Sequence, residues 1–137
     1  MTTDLKPIAG LRPASCRYGL SKVPFRGPRR RTDGRYVAFL GGAETFGQDG
    51  QPPFPDLIEE ALGEICVNLG SPTAGPDLFV QDTAVRAPVP DASAVVIQLR
   101  GATNLSNRYV RAHPRRNDRL VAPNAARRPS FRTAAIA

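Results

Sequence analysis

Apolar positions along the chain gather into short runs separated by glycine and proline. Residues 36–40 form an apolar run of strand length, with Gly34 and Arg35 before it and Gly41 and Gly42 after it. Two glycines at a strand end predict a sharp turn, or a backbone that something approaches closely. Phe54, Leu57, Ile58, Ala61 and Leu62 recur at helical spacing and predict an amphipathic helix over 54–63. Pro55 suits its first turn, the acids Asp56, Glu59 and Glu60 suit its N-terminal part, and Gly63 is its stop. Residues 65–70 predict a second strand, so strand, turn, helix and strand make one βαβ unit with parallel strands. A weaker period predicts a helix over 77–85, ended by Pro88 and Pro90. Residues 93–101 predict a third strand. Its continuous apolar centre, Val95-Val96-Ile97, predicts burial on both faces.

Each predicted strand finishes in a glycine (Gly41, Gly70, Gly101) that opens a polar loop. In a parallel α/β sheet such loops converge on one rim, where ligands bind. Outside residues 36–120 the pattern differs. Residues 1–35, with Pro7, Pro13, Pro24 and Pro28, predict an irregular basic segment, and residues 108–119 are basic and turn-prone. Residues 121–137 are rich in Ala, Arg and Pro without apolar period, and predict a disordered tail.

With 137 residues the chain is long enough for one domain with a core and short for two. Fourteen prolines and twelve glycines point to long connections. The formal net charge is +7, and Lys6 and Lys22 are the only lysines, so arginine dominates. Arg29, Arg30, Arg115 and Arg116 are candidates for binding an anion, through guanidinium forks on phosphate or carboxylate. Solvated loops account for the same residues more simply. Tyr109 is the one aromatic in the second basic cluster, so the stacking platforms that nucleic-acid binding uses are missing. Cys16 and Cys66 have no metal-site spacing, and no cofactor or metal is expected. There is no signal-peptide core in residues 1–25 and no apolar stretch of membrane-spanning length, which predicts a cytoplasmic protein without membrane contact.

Three of these loops carry a resemblance. Gly41-Gly42-Ala43-Glu44-Thr45-Phe46-Gly47 resembles the first block of SGNH (GDSL-type) hydrolases, Gly-Asp-Ser-x-Thr-x-Gly after a strand. Asn68-Leu69-Gly70 through Gly75 resembles the second block, and Gln98 through Asn104 resembles the third, Gly-x-Asn-Asp. Residues 18–29, the turn at 41–47, residues 104–108 and residues 113–118 more closely resemble an uncharacterised proteobacterial family of unknown function, which looks like a divergent SGNH-like one. The resemblance covers about residues 18–120.

What it implies is a three-layer flavodoxin-like parallel sheet, here incomplete with about three strands, and a site at the rim. SGNH enzymes hydrolyse or transfer acyl esters with a block-one serine, an oxyanion hole drawn from all three blocks, and a late Asp-x-x-His. In this chain Ala43 stands at the serine position and Gly42 at the aspartate position, while Gly41, Thr45 and Gly47 match. Gly70 or Gly75 matches the block-two glycine, and Asn104 matches the block-three asparagine with Leu105 after it. Val110 lies three before His113, so the Asp-x-x-His is missing. The family's C-terminal half is also missing, and the change of character near Val121 predicts a truncated or frameshifted form.

Serine-esterase chemistry is therefore not expected. The expectation is a domain that binds a small polar ligand, a glycan or acyl ester, through Gly42, Glu44, Thr45, Gly70 and Asn104. Glu44, as a general base, and His113, the only histidine with Asp118 nearby, are the remaining catalytic candidates. Alternatives are a module that binds an anion, nucleic acid or acidic polysaccharide, through the arginine clusters Arg26–Arg31 and Arg108–Arg119, or a fragment without function. The oligomeric state is left open.

Overall fold

The computed structural model describes residues 15–48, 50–99, 105–113 and 116–123. In chain order, β1 (Ser15–Cys16) and β2 (Phe25–Arg26) form a two-residue antiparallel ladder. Strand β3 (Tyr36–Gly41) follows, then helices α1 (Ala43–Phe46) and α2 (Phe54–Leu62) and strand β4 (Ile65–Gly70). Helices α3 (Pro76–Gln81) and α4 (Thr83–Arg86) lead to β5 (Ala94–Ile97), and β6 (Val110–His113) pairs antiparallel with β7 (Arg116–Pro123).

The sheet that organises the molecule is β4-β3-β5, all parallel, with Gly41 beside Gly70 and Leu40 beside Ile97. Mixed α/β architecture with a three-stranded parallel sheet thus agrees with the sequence pattern. The first strand of the sheet lies in the middle, so the chain leaves it in one direction and returns past it in the other. A crevice opens where the strand order reverses, at the carboxyl ends.

Strand β3 is buried at every position because both of its faces are covered. On one face Tyr36, Ala38 and Leu40 join Val67 and Leu69 under Leu78 and Val85 of the second crossover. Tyr18, Val23 and Phe25 complete that layer. On the other face Val37, Phe39 and Cys66 lie under Ile58 of α2, and the Phe54 ring meets Phe39 edge-on at 5.6 Å. Helix α2 ends as its sequence predicts: Gly63 takes a left-handed conformation, φ 66°, and its N–H donates to Glu59 O at 2.8 Å.

Several expectations are corrected. Strand β5 is not buried on both faces: Val96 is 41% and Ile97 62% exposed, and Leu99 just beyond it 92%. Among the described residues it lies at the edge of the sheet, with β3 on one side only, and continuous apolarity marks an uncovered edge here rather than a buried centre. The apolar stripe of α2 is also only partly covered, since Leu57 and Leu62 face solvent. The helix expected over 77–85 is two helices, because Asp82 turns to extended backbone and caps the second, accepting from Ala84 N at 3.0 Å.

Residues 15–35 are more than an irregular leader, for their apolar side chains roof one face of the sheet. Prolines there stop helices without stopping burial. The turn-prone basic stretch after 108 holds a hairpin, tightened by Asn107, whose Oδ1 accepts from Tyr109 N and Val110 N. Its second strand reaches Pro123, past the expected boundary at 120. Gly101, Asn104, Arg115 and residues 124–137, where the tail was expected to be disordered, lie outside the described residues.

Candidate functional site

At the carboxyl end of β3 the chain turns directly into α1, and the turn fits only because two residues lack a side chain. A Cβ on Gly41 would lie 2.0 Å from Thr45 Oγ1 and 2.6 Å from Gln98 Oε1. A Cβ on Gly70 would lie 2.5 Å from Phe46 N and 2.8 Å from Thr45 C, both main-chain atoms. The glycines therefore let α1 settle onto the ends of β3 and β4. Ser71 N donates to Gly41 O at 3.0 Å and carries the contact one residue further.

Polar side chains then lock the three strand ends together. Gln98, just past β5, accepts through Oε1 from Gly42 N and Thr45 Oγ1, both at 2.9 Å. Its Nε2 donates to Glu44 Oε2 at 2.6 Å. Asn68 Nδ2 donates to Thr45 O at 2.8 Å, and Asn68 Oδ1 accepts from Gly70 N at 2.8 Å. Gly42, Thr45 and Gly70 are buried, whereas Glu44 and Ala43 are exposed. Four of the five expected ligand-binding residues, Gly42, Glu44, Thr45 and Gly70, thus meet at one rim; Asn104 is outside the described residues.

Ala43 and Glu44 form one wall of a cleft of about 730 Å³. Gln48, Gln51, Phe54 and Pro72 are among the other residues that line it. Arg26 supports this cleft from beneath. It is 5% exposed, and its guanidinium donates to Phe46 O at 3.1 Å, Gln48 O at 3.4 Å and Gln51 O at 3.3 Å. It also stacks over the Phe46 ring at 5.7 Å. One cation thereby gathers the loop that follows α1. Gly47, at φ 86°, leaves room for it, since a Cβ there would come within 3.4 Å of Nη1 and 2.8 Å of Pro53 Cβ.

The other candidates fall elsewhere. His113 ends β6 in the hairpin, paired in register with Arg116, and is partly buried. Arg30 pairs with Glu59 at 3.0 Å, and Glu59 also accepts from Cys66 N, near the amino end of β4 and away from the rim. Arg29 lies over the Tyr18 ring at 5.8 Å. Among the described residues no His, Cys, Asp and Glu cluster could hold a metal, and no helix is long and apolar enough to cross a membrane.

Gln98 is a site residue that sequence reasoning passed over, and Arg26, read within the basic cluster 26–31 as a candidate for an external anion, serves main-chain carbonyls instead. Gln98 had a signal, a polar residue closing an apolar strand just before a glycine loop. For Arg26 the basic, proline-rich stretch pointed to an anion or to solvent, not to main-chain partners.

A family model described as Domain of unknown function (DUF6473) matches residues 1–133. The chain belongs to the DUF6473 family. That match takes in the proline-rich N-terminal segment, the parallel sheet and the hairpin, so in this DUF6473 protein the family's unit extends on both sides of residues 36–120. No curated protein and no solved structure gives a significant match to the chain.

Proposed function

We propose that the rim at the carboxyl ends of β3, β4 and β5 binds a small polar ligand, a glycan or an acyl ester, without cleaving it. The observation that carries this reading is the cleft beside Ala43 and Glu44. Its side-chain hydrogen-bonding groups are the Glu44 carboxylate and the Gln48 and Gln51 amides, and Phe54 and the prolines supply an apolar wall. Convergent polar groups on an apolar surface are the usual make-up of a small-molecule pocket, and hydroxyl-rich ligands use both parts. Gln98 holds Glu44 in place, so the carboxylate is positioned before any ligand arrives.

The same arrangement supports a distant relation to SGNH hydrolases. A parallel sheet in the order second, first, third strand, with crossovers packed on opposite faces, is how flavodoxin-like sheets begin. Gly41, Thr45 and Gly47 surround the turn where that family keeps its nucleophile. Ala43 carries no nucleophilic atom, so the reading is of binding in place of ester hydrolysis.

Calorimetric titration with a panel of mono- and disaccharides and short acyl esters tests this. Saturable binding of at least one compound, with no ester consumed, is the expected result. Gln98→Ala and Glu44→Ala should each weaken it about tenfold, the loss of one or two hydrogen bonds of about 1 kcal/mol each. Binding that both variants leave untouched, or steady ester turnover by the wild-type chain, would exclude the proposal.

A further inference from the structure

The two edges of the parallel sheet are finished differently. On the β4 side, side chains of the chain itself occupy two of the outward main-chain donors: Glu59 Oε2 accepts from Cys66 N and Asn68 Oδ1 from Gly70 N. Among the described residues nothing pairs with β5 on its outer side. Gln98 N donates inward to Leu40 O, and main-chain direction alternates along a strand, so Val95 and Ile97 turn their N–H and C=O groups outward. Natural edge strands normally carry a charge, a proline or a bulge that blocks pairing. Strand β5 reads Ala-Val-Val-Ile and has none of these.

Apolar surface continues from the edge on both faces. Val96 is 41% exposed on the α2 face, and Val95 is 38% and Ile97 62% exposed on the other. Leu99 at 92% and Val80 at 65% border a groove of about 320 Å³ beside Ile97. These five side chains together offer on the order of 500 Å² per copy, and twice that reaches the roughly 1,000 Å² at which an interface is specific.

We propose that β5 is the contact strand of a symmetric dimer of this chain. A two-fold axis perpendicular to the sheet sets β5 antiparallel to its mate and keeps each face with its counterpart. The register that uses both outward-facing residues centres on Val96. Val95 of each copy then exchanges two main-chain hydrogen bonds with Ile97 of the other, and the two Val96 side chains meet at the axis. The product is a continuous six-stranded sheet in the order β4-β3-β5-β5-β3-β4. Because the pairing is antiparallel, the two glycine rims face opposite ends of the dimer, and no residue that lines the cleft beside Ala43 and Glu44 belongs to the apolar strip. A second copy suits the edge because the chain, at net charge +7, presents there an uncharged strip on which two like-charged molecules can meet.

Sedimentation of the full chain from low micromolar to about 100 μM tests this directly. The expected result is a monomer–dimer equilibrium. Val96→Lys places two ammonium groups at the axis and should weaken it at least about tenfold. Leu62→Lys, which alters an exposed leucine on α2, should leave it unchanged. Amides of Val95 and Ile97 should exchange more slowly as protein concentration rises. If Val96→Lys fails to fold by circular dichroism, Leu99→Lys, outside the strand, takes its place. A wild-type chain that stays monomeric throughout, assemblies larger than a dimer, or a folded edge variant that dimerises as well as wild type would each overturn the proposal.

Discussion

A single methyl group is enough to probe the rim. At Gly70 an added Cβ would press on Phe46 N and Thr45 C, main-chain atoms of α1 that no rotamer change can move aside. Gly70→Ala should therefore displace α1 and cost about 1–3 kcal/mol, the usual penalty for overpacking. Gly34 provides the comparison, since a Cβ there would meet nothing within 4 Å. Gly34→Ala should change stability by less than about 1 kcal/mol, and reduced backbone freedom in the unfolded chain favours a small gain. Denaturant melts of the two variants separate steric close approach from a general cost of losing glycine; equal effects would show that the contact at Gly70 is not tight. Should α1 move, Thr45 and Gly42 move with it. Gly70→Ala should then also disturb the two bonds to Gln98 Oε1, visible as faster exchange of the Gly42 amide.

At the scale of elements, the segment after α1 depends on one cation from β2. Replacing Arg26 with Met keeps the length and apolar stem but removes the bonds to Phe46 O, Gln48 O and Gln51 O. Each charge-assisted bond contributes about 1.5–3 kcal/mol, offset by several kcal/mol for burying the cation. The balance is a net loss on the order of 2 kcal/mol. Limited proteolysis should show the change first, as faster cleavage between residues 46 and 53; an unaltered cleavage pattern would mean that the loop holds itself. This clamp also marks what was legible in the chain. Strand β3, helix α2 and strand β4 could be read in order because each is declared by neighbours a few residues apart. The rim glycines were legible for the same reason. Arg26 was not, because its acceptors are main-chain carbonyls, which any residue supplies. Gln98 escaped notice because its partner Glu44 is 54 residues earlier and only strand order brings them together. Strand order also hid the exposure of β5, since an apolar run carries no mark of edge or centre.

Taken whole, the molecule is a strongly basic chain whose buried acids ionise late. Burial, helped by the negative charges of Glu59 and Glu64, pushes the Cys66 thiol up to about 11 from its ordinary 9.0. Burial likewise raises the Tyr18 hydroxyl, which accepts from Arg30 N, and the Tyr36 hydroxyl, which donates to Pro88 O. For each group the fold favours the neutral form. The unfolded chain therefore releases its proton first, and the stability linked to Cys66 is complete below pH 9 and lost as pH climbs from 9.0 through about 11. Net charge works in the opposite sense, because ionising thiols and phenols brings +7 nearer to zero and relieves self-repulsion. Burial should win. Cys66 and Tyr36 are each 1% exposed, so desolvation opposes their ionisation in the fold, whereas repulsion among exposed arginines is screened by salt. The melting temperature in moderate salt should accordingly hold steady from about neutral pH to pH 9 and fall steadily above it. At pH 8 a thiol reagent should modify Cys66 far more slowly in the folded chain than in denaturant. A melting temperature that rises between pH 9 and 11 would show that charge repulsion outweighs burial in this fold, and fast labelling at pH 8 would place Cys66 outside the packed layer beneath α2.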